Sequence, residues 1–150
     1  MSEGIQSNDQ GGTVINLLDD VVLTATFSDN ESAVYQMAPF SQLELIIDYT
    51  EDSSENNNSA NVKLLLSEDG TDFHEYSIGY DQEPAANVVA SILYPRRFQV
   101  TGTPNVKETR WFAVPTIATY FKVQANEHGL QAVGGRLTAK ARVGVNTTFR

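Results

Sequence analysis

The chain has 150 residues, no cysteine and a net charge of −9 at pH 7, a length that suits one domain with a single core. The absence of cysteine excludes disulfides and thiolate chemistry, and the acidic charge argues against a nucleic-acid surface, which needs a basic footprint. No run approaches the eighteen apolar residues of a membrane span and no signal peptide is evident, so we expect a soluble protein made in a cytoplasm, with no membrane partner.

The charge is divided unevenly along the chain. Residues 1–75 hold fifteen acidic residues and one basic residue, a net charge of −14, whereas residues 76–150 hold nine basic and four acidic residues, a net charge of +5. One interpretation is that the halves pair within one domain. The other is that complementary patches steer contact between copies of the chain or with a larger assembly.

The first half begins with a polar segment, residues 1–12, that we interpret as a flexible N-terminal arm ahead of a single domain spanning residues 13–150. Thr13–Leu18 and Val21–Phe27, separated by two aspartates, predict two short strands or one bent strand. Further strands are predicted over Ser32–Met37 and Leu43–Tyr49.

A polar, acidic run over Thr50–Ala60 predicts a long exposed loop, since it offers little apolar surface to bury. The next segment, Val62–Ile78, predicts a β-hairpin. Its turn is centred on Asp69-Gly70, a dipeptide that supplies the positive φ required by a tight turn, and alternation resumes with Phe73.

The second half adds further short strands, and the last of them has the clearest pattern. Over Arg136–Val145, small apolar residues alternate with a basic series, Arg136, Lys140 and Arg142, which predicts a strand with a basic solvent face. The other predicted strands are Val88–Leu93, Arg97–Thr101, Thr109–Val114 and Tyr120–Ala125.

Together the pattern gives eight to ten short strands and no convincing helix. Many short strands separated by turn signals predict an all-β fold, an antiparallel two-sheet sandwich that is jelly-roll-like.

Catalytic and metal-binding patterns are weak. His74 and His128 stand outside any zinc motif, and we interpret both as exposed strand or turn residues. Glu44 and Asp48 share one strand face, as a glycosidase pair would, but they also fit the solvent side of a strand. The oxygen-rich acidic stretches 48–55 and 68–72 could bind Ca²⁺, although neither has the spacing of an EF-hand. We therefore expect no enzyme and no cofactor.

Aromatic and arginine residues concentrate in the second half. We expect most of the aromatic residues, including the single tryptophan, Trp111, to lie in the core. Trp111 beside arginines also resembles the composition of interaction hot spots. The partner-interface candidates are Arg96, Arg97, Arg110, Trp111, Arg136, Lys140 and Arg142.

The pattern Ser67-x-Asp69-Gly70-x-x-Phe73, with the later segment Ala118–Ala125 and the strand Leu137–Val145, resembles the galactose-binding-like, or discoidin-type, jelly roll. The resemblance covers roughly residues 60–145 and implies a carbohydrate-binding module. The chain departs from the family at Thr119, where an arginine usually stands, and it has no cysteine pair that joins the termini.

In size, polar arm, lack of cysteine and β-rich pattern, the chain also resembles small accessory proteins of tailed bacteriophage virions. This resemblance implies a virion location and a structural function, namely a capsid cement or decoration protein, with a tail or neck component as the alternative. The implied partner is a protein lattice such as a major capsid protein, bound by a homo-oligomer, with a trimer favoured. The basic face carrying Arg136, Lys140 and Arg142 would meet an acidic patch on a neighbouring subunit.

Overall fold

The strands are long where apolar and polar residues alternate over many positions, and short where turn-forming residues interrupt the alternation. A computed structural model describes residues 13–37, 41–82, 90–114 and 118–145, so the predicted arm, residues 1–12, lies outside the described residues. The described strands are β1 (Thr13–Val22), β2 (Tyr35–Gln36), β3 (Ser41–Thr50), β4 (Ser59–Ser67), β5 (His74–Glu75), β6 (Ser77–Gln82), β7 (Ala90–Pro95), β8 (Arg97–Thr101), β9 (Lys107–Val114), β10 (Tyr120–His128) and β11 (Arg136–Val145).

The first four strands pair in reverse order with the last four, so the chain forms one long antiparallel ribbon. The register along the ribbon is nearly constant: the residue numbers of paired positions add to 156 for Ile15 and Ala141 and for Tyr35 and Phe121, to 157 for Leu45 and Phe112, and to 160 for Val62 and Phe98. The small drift reflects register shifts such as those in β1, where Asp20 adopts a positive φ of 49°. Thr13–Val22 is therefore one irregular strand, which is the second of the two predicted alternatives.

Folding this ribbon over gives two antiparallel sheets. Sheet A has the order β1-β11-β3-β9, and sheet B has the order β2-β10-β4, with β5 and β8 both paired to the free side of β4. The two sheets pack as a sandwich with jelly-roll order, which confirms the predicted fold class. At the tip of the ribbon, β6 and β7 pair with each other in a separate two-stranded sheet. Among the described residues, no helix is long and apolar enough to cross a membrane.

The core fills the space between the sheets, as the alternation predicts. On β3, Leu43, Leu45, Ile47 and Tyr49 are buried, and on β11 the predicted inward residues Leu137, Ala139 and Ala141 are completely buried. Sheet B contributes Val62, Leu64, Phe98, Phe121 and Val123. Each large side chain that leaves water in this way stabilises the fold by about 1.5–3 kcal/mol.

The predicted hairpin at Asp69-Gly70 is present, with a wider turn than expected. Gly70 has a φ of +80°, and the Asp69 carboxylate accepts backbone N–H groups of Thr71 and Asp72 at 2.8 and 2.9 Å. These bonds lower the pKa of Asp69 to about 2, with the Asp72 N–H first among the causes. The returning strand is only two residues long because β8 pairs with the rest of β4.

The prediction of an exposed loop over Thr50–Ala60 was only partly right, because Ser53, Ser54, Asn56 and Asn57 are exposed but the other loop residues are not. Glu51, Glu55 and Asn58 are buried in a polar cluster at one end of the sandwich, together with Glu127 from the end of β10. We call these four residues the glutamate cluster. The Asn58 side-chain amide donates to Glu55 at 2.8 Å and to Glu127 at 3.0 Å, while its backbone N–H donates to Glu51 at 2.9 Å. Hydrogen bonds therefore order the loop where apolar burial does not. The other oxygen of Glu51 has no partner among the described residues.

The cluster ties together the loops at this end. Glu55 accepts the backbone N–H groups of Gln131, Ala132 and Val133, which lie between β10 and β11, at 2.9–3.1 Å. Glu127 accepts the N–H of Gly135 at 2.8 Å and the Tyr49 hydroxyl at 2.5 Å. Burial, followed by the bond to Glu127, raises the pKa of Tyr49.

The Tyr49 ring needs glycine at two neighbouring positions. A Cβ atom at Gly102 would lie 2.7 Å from one edge of the ring, and a Cβ atom at Gly135 would lie 2.8 Å from the other. Both distances are below van der Waals contact, so any side chain there would displace the ring. The absence of a side chain at both positions lets the tyrosine reach Glu127.

Removal of the Asn58 side chain tests whether this loop supports the fold. We expect Asn58→Ala to lower the free energy of unfolding by about 1–3 kcal/mol, because it leaves two buried carboxylates short of a donor. The exposed neighbour gives a matched control, since Asn56→Ala should change stability by less than about 0.5 kcal/mol. Urea unfolding of the two variants measures the difference, and equal stability would mean that the loop is dispensable.

The hydrogen bonds to the Glu55 carboxylate predict a contribution to stability that is lost in acid. Four donors, with the Gln131 N–H first, lower its pKa from 4.5 to about 2. Folding thus favours the ionised form, so the contribution is complete above pH 4.5 and is lost as the pH falls from about 4.5 to about 2. Urea midpoints across this range should rise less steeply with pH in Glu55→Gln than in the wild type. Glu68→Gln, which removes an exposed carboxylate, is the control, and identical slopes for wild type and Glu55→Gln would contradict the assignment.

Candidate functional site

The outer faces of the two sheets differ in how far they are covered. On sheet B, loop residue Phe27 lies against Lys63 and Arg97, with the Lys63 Nζ atom 4.3 Å from the ring centroid. Phe73 lies against Lys122 on the same face, 4.6 Å from Nζ to centroid. Among the described residues, no comparable loop aromatic packs over the outer face of sheet A. In the part of the chain that the structure describes, the outer face of sheet A therefore lacks the aromatic cover that sheet B carries.

The open face of sheet A is built from the outward positions of four strands, and their register aligns them in rows. One row contains Asn16, Lys140, Ile46 and Trp111, and the adjacent row contains Val14, Arg142, Glu44 and Ala113. Trp111 is 58% exposed, Val14 is 55% exposed and Val22, at the end of β1, is 49% exposed. Three of the six large exposed apolar side chains among the described residues thus share this face, which we call the open face.

Four of the seven predicted interface residues meet there. Trp111, Arg136, Lys140 and Arg142 all lie on the open face, the first on β9 and the others on β11. The expectation that Trp111 is a core residue was wrong. The next residue along the chain, Phe112, takes the inward position and packs on Phe98, with ring centroids 5.1 Å apart. β9 is an edge strand, and packing decides which of its two alternating series of side chains points into the core. The alternation of the sequence does not show which series that is.

The other three predicted residues lie elsewhere. Arg97 forms an ion pair with Glu75 across sheet B, which raises the pKa of Arg97. The Arg96 guanidinium lies 5.1 Å from the Phe98 ring centroid. Arg110 approaches Glu108 at 3.6 Å, on the opposite phase of β9 from Trp111. The seven residues therefore do not form one surface.

The charge division along the sequence is partly balanced by pairing between the two halves. Of the four ion pairs described, three join the acidic half to the basic half: Arg97 with Glu75, Lys122 with Glu31, and Arg136 with Asp20. The predicted basic face is only one strand wide, because β3 places Glu44 and Asp48 beside it. This arrangement agrees with the first interpretation, in which the halves pair within one domain.

The other polar features among the described residues are weaker candidates for a functional site. A pocket of about 310 Å³ opens between the loops beside the glutamate cluster, lined by Val22, Thr50, Asp52, Val133 and Arg136 among others. Asp48 accepts the Thr109 hydroxyl at 2.5 Å. In the part of the chain that the structure describes, no group of three or more His, Cys, Asp or Glu side chains is arranged to hold a metal ion. Both histidines are exposed.

Sequence reasoning missed Ile46 and Val14 as members of the open face. Ile46 stands between Glu44 and Asp48 in the outward phase of β3, where a solvent-facing strand would carry a polar residue. An apolar residue out of phase with the buried series indicates a contact surface, and this signal was available in the sequence.

No protein-family model matches the chain, and a search of curated proteins found no match. One similar solved structure is the K1 cleaved adhesin domain of Lys-gingipain from Porphyromonas gingivalis W83, at 10% identity and a TM-score of 0.38, covering 78% of this chain and 62% of that one. Another is a chain in the structure of infectious bursal disease virus, Gt strain, at 9% identity and a TM-score of 0.44, covering 94% of this chain and 35% of that one. This chain thus spans less than two thirds of either. Similarity at this level leaves function to be argued from the surface itself.

Proposed function

We propose that the protein is a non-enzymatic structural protein of a virion, most specifically a capsid cement or decoration protein. Copies made in the host cytoplasm would dock on a protein lattice and contact one another, which adds buried interface area to the capsid. The observation that carries the proposal is the open face, where Trp111, Val14 and Val22 stay exposed on a four-stranded sheet. Exposed apolar side chains gathered on one face mark an interaction surface.

The rest of the fold supports a binding role for this face. The buried sandwich and the hydrogen-bonded loop cluster hold the sheet in one shape, so little order has to be gained on docking. Tryptophan and arginine are the side chains that most often dominate binding energy. Trp111 is the exposed aromatic anchor in this arrangement, with Lys140 and Arg142 in the rows beside it.

A carbohydrate-binding module is the second candidate. Trp111 is exposed beside the polar pair Asp48 and Thr109, which lie one row away on the same face. A sugar ring stacks on an exposed indole and takes hydrogen bonds from neighbouring polar groups. Glycan-array binding that is lost in Trp111→Ala would favour this candidate over the virion protein.

Replacement of Trp111 tests the contact surface. We expect Trp111→Ala to weaken binding to capsids of the encoding virus at least about 30-fold, the loss of about 2 kcal/mol that defines a hot spot. Val34→Ala is the matched control, because Val34 is 46% exposed and lies outside sheet A. Co-sedimentation of the purified chain with capsids measures both. A wild-type chain that does not sediment with capsids at any concentration would overturn the proposed function.

A further inference from the structure

The open face carries its charges in stripes that follow the strands. The outward residues of β11 form a basic stripe of Arg136, Lys140 and Arg142, and those of the neighbouring β3 include an acidic stripe of Glu44 and Asp48. Lys107 on β9 and Asp20, which is 3.4 Å from Arg136, add further charges to the face. Four basic and three acidic residues leave the face near neutrality in a chain of net charge −9.

We propose that the open face binds the same face of a second copy of this chain. The two copies would be related by a two-fold axis that runs parallel to the strands, between β11 and β3. The inference rests on the proposed function only in taking sheet A as the contact surface. It goes further by naming the occupant and the symmetry of the contact: the open face is the contact between copies, and the paired chains dock on the lattice through their other surfaces.

The register determines which residues would meet. A rotation about such an axis exchanges β11 with β3 and β1 with β9 but keeps each row at its own height along the strands. Arg142 of one copy then lies over Glu44 of the other, and the same pair forms a second time by symmetry. In the next row, Lys140 lies over Ile46, and Trp111 lies over Asn16, one row away from Val14.

Charge and shape both favour this occupant. Opposite stripes in adjacent strands make the face complementary to itself, whereas two copies that met through the remaining surface would bring together its excess of negative charge. Face-to-face sheets pack about 10 Å apart, a gap that arginine and glutamate side chains can fill together. Sheets stacked in this way align within about 30°, so the rows remain opposed near the axis.

The area of the face limits the strength of the contact. Four strands about 4.8 Å apart and nine residues long, at about 3.3 Å per residue, cover roughly 600 Å² on each copy. A standard stable interface buries about 800 Å² on each side. The dimer should therefore be concentration-dependent in solution and should gain strength where a lattice holds two copies close together.

Charge reversal on each side of the interface separately tests the pairing. We expect Arg142→Glu alone and Glu44→Arg alone to weaken dimerisation at least about tenfold, because each homodimer then opposes like charges twice. An equimolar mixture should restore dimers that contain one chain of each variant, since every opposed pair is again of opposite sign. Sedimentation equilibrium with one variant carrying a mass tag measures the composition of the dimers.

The control is an ion pair on the other sheet. Lys122 and Glu31 lie 3.3 Å apart on sheet B, so Lys122→Glu, Glu31→Arg and their mixture should all dimerise as the wild type does. Thermal unfolding confirms that each variant is folded. If a reversal unfolds its chain, Arg142→Gln and Glu44→Gln replace it. Each should weaken the dimer, and their mixture should restore it in part, because the mixed dimer regains one of the two Arg142–Glu44 pairs.

Two results would overturn the proposal: a wild-type chain that stays monomeric at every concentration, or a mixture of reversal variants that forms no mixed dimer. Failure of the virion proposal would look different. Mixed dimers that form normally, from a chain that does not sediment with capsids, would reject the capsid function and leave the dimer standing. Capsid binding by a strictly monomeric chain would do the reverse.

Discussion

The continuous antiparallel pairing of the first half of the chain with the second is the constraint on which the rest of the structure depends. β1 pairs with β11, β2 with β10, β3 with β9 and β4 with β8, and the register changes by only a few residues from end to end. When the ribbon folds over, β11 lies between β1 and β3, and β10 lies between β2 and β4. Neither sheet is complete until the last two strands are in place. Contacts of such long sequence separation make folding slow compared with a helical domain of this size.

This pairing also explains where the charged residues of the two halves lie in the fold. An acidic first half and a basic second half would repel within themselves, but the ribbon places β1 to β4 of the first half beside β8 to β11 of the second. Three ion pairs join the halves, and the basic residues of β11 lie between the acidic positions of β1 and β3. Exposed pairs of this kind contribute little stability, about 0–1 kcal/mol each. Their larger effect is to favour this register over alternatives that would place like charges together.

Sequence patterns predicted the parts of the fold that apolar alternation controls. The bounds of β11 were predicted correctly because five small apolar residues alternate with polar ones through ten positions. The open face was only partly predicted, since its register brings together residues from four strands that lie up to 128 positions apart, such as Val14 and Arg142 with Glu44 and Ala113. No local pattern specifies such a row.

The loop after β3 was misread because its composition is polar. Glu51 continues the inward phase of Leu43, Leu45, Ile47 and Tyr49, and Glu127 continues the inward phase of Phe121, Val123 and Ala125. A glutamate that keeps the inward phase at the end of a strand is a signal of a buried polar cluster, and the sequence contains it twice. Their donors are the Asn58 backbone N–H for Glu51, and the Asn58 side-chain amide, the Gly135 N–H and the Tyr49 hydroxyl for Glu127. Their identity follows from the fold and not from the local sequence.

The glutamate cluster and the open face place different demands on the same two strands. β3 and β11 carry the core on their inner side, support the ordered loops at one end and present the two charged stripes on their outer side. Because both strands are central in sheet A, their outer residues are held at fixed spacing by neighbours on each side. A contact surface on central strands changes shape less than one on an edge or a loop. Substitutions in the open face can therefore alter binding without altering the fold, since the core residues on the opposite side of the same strands remain in place.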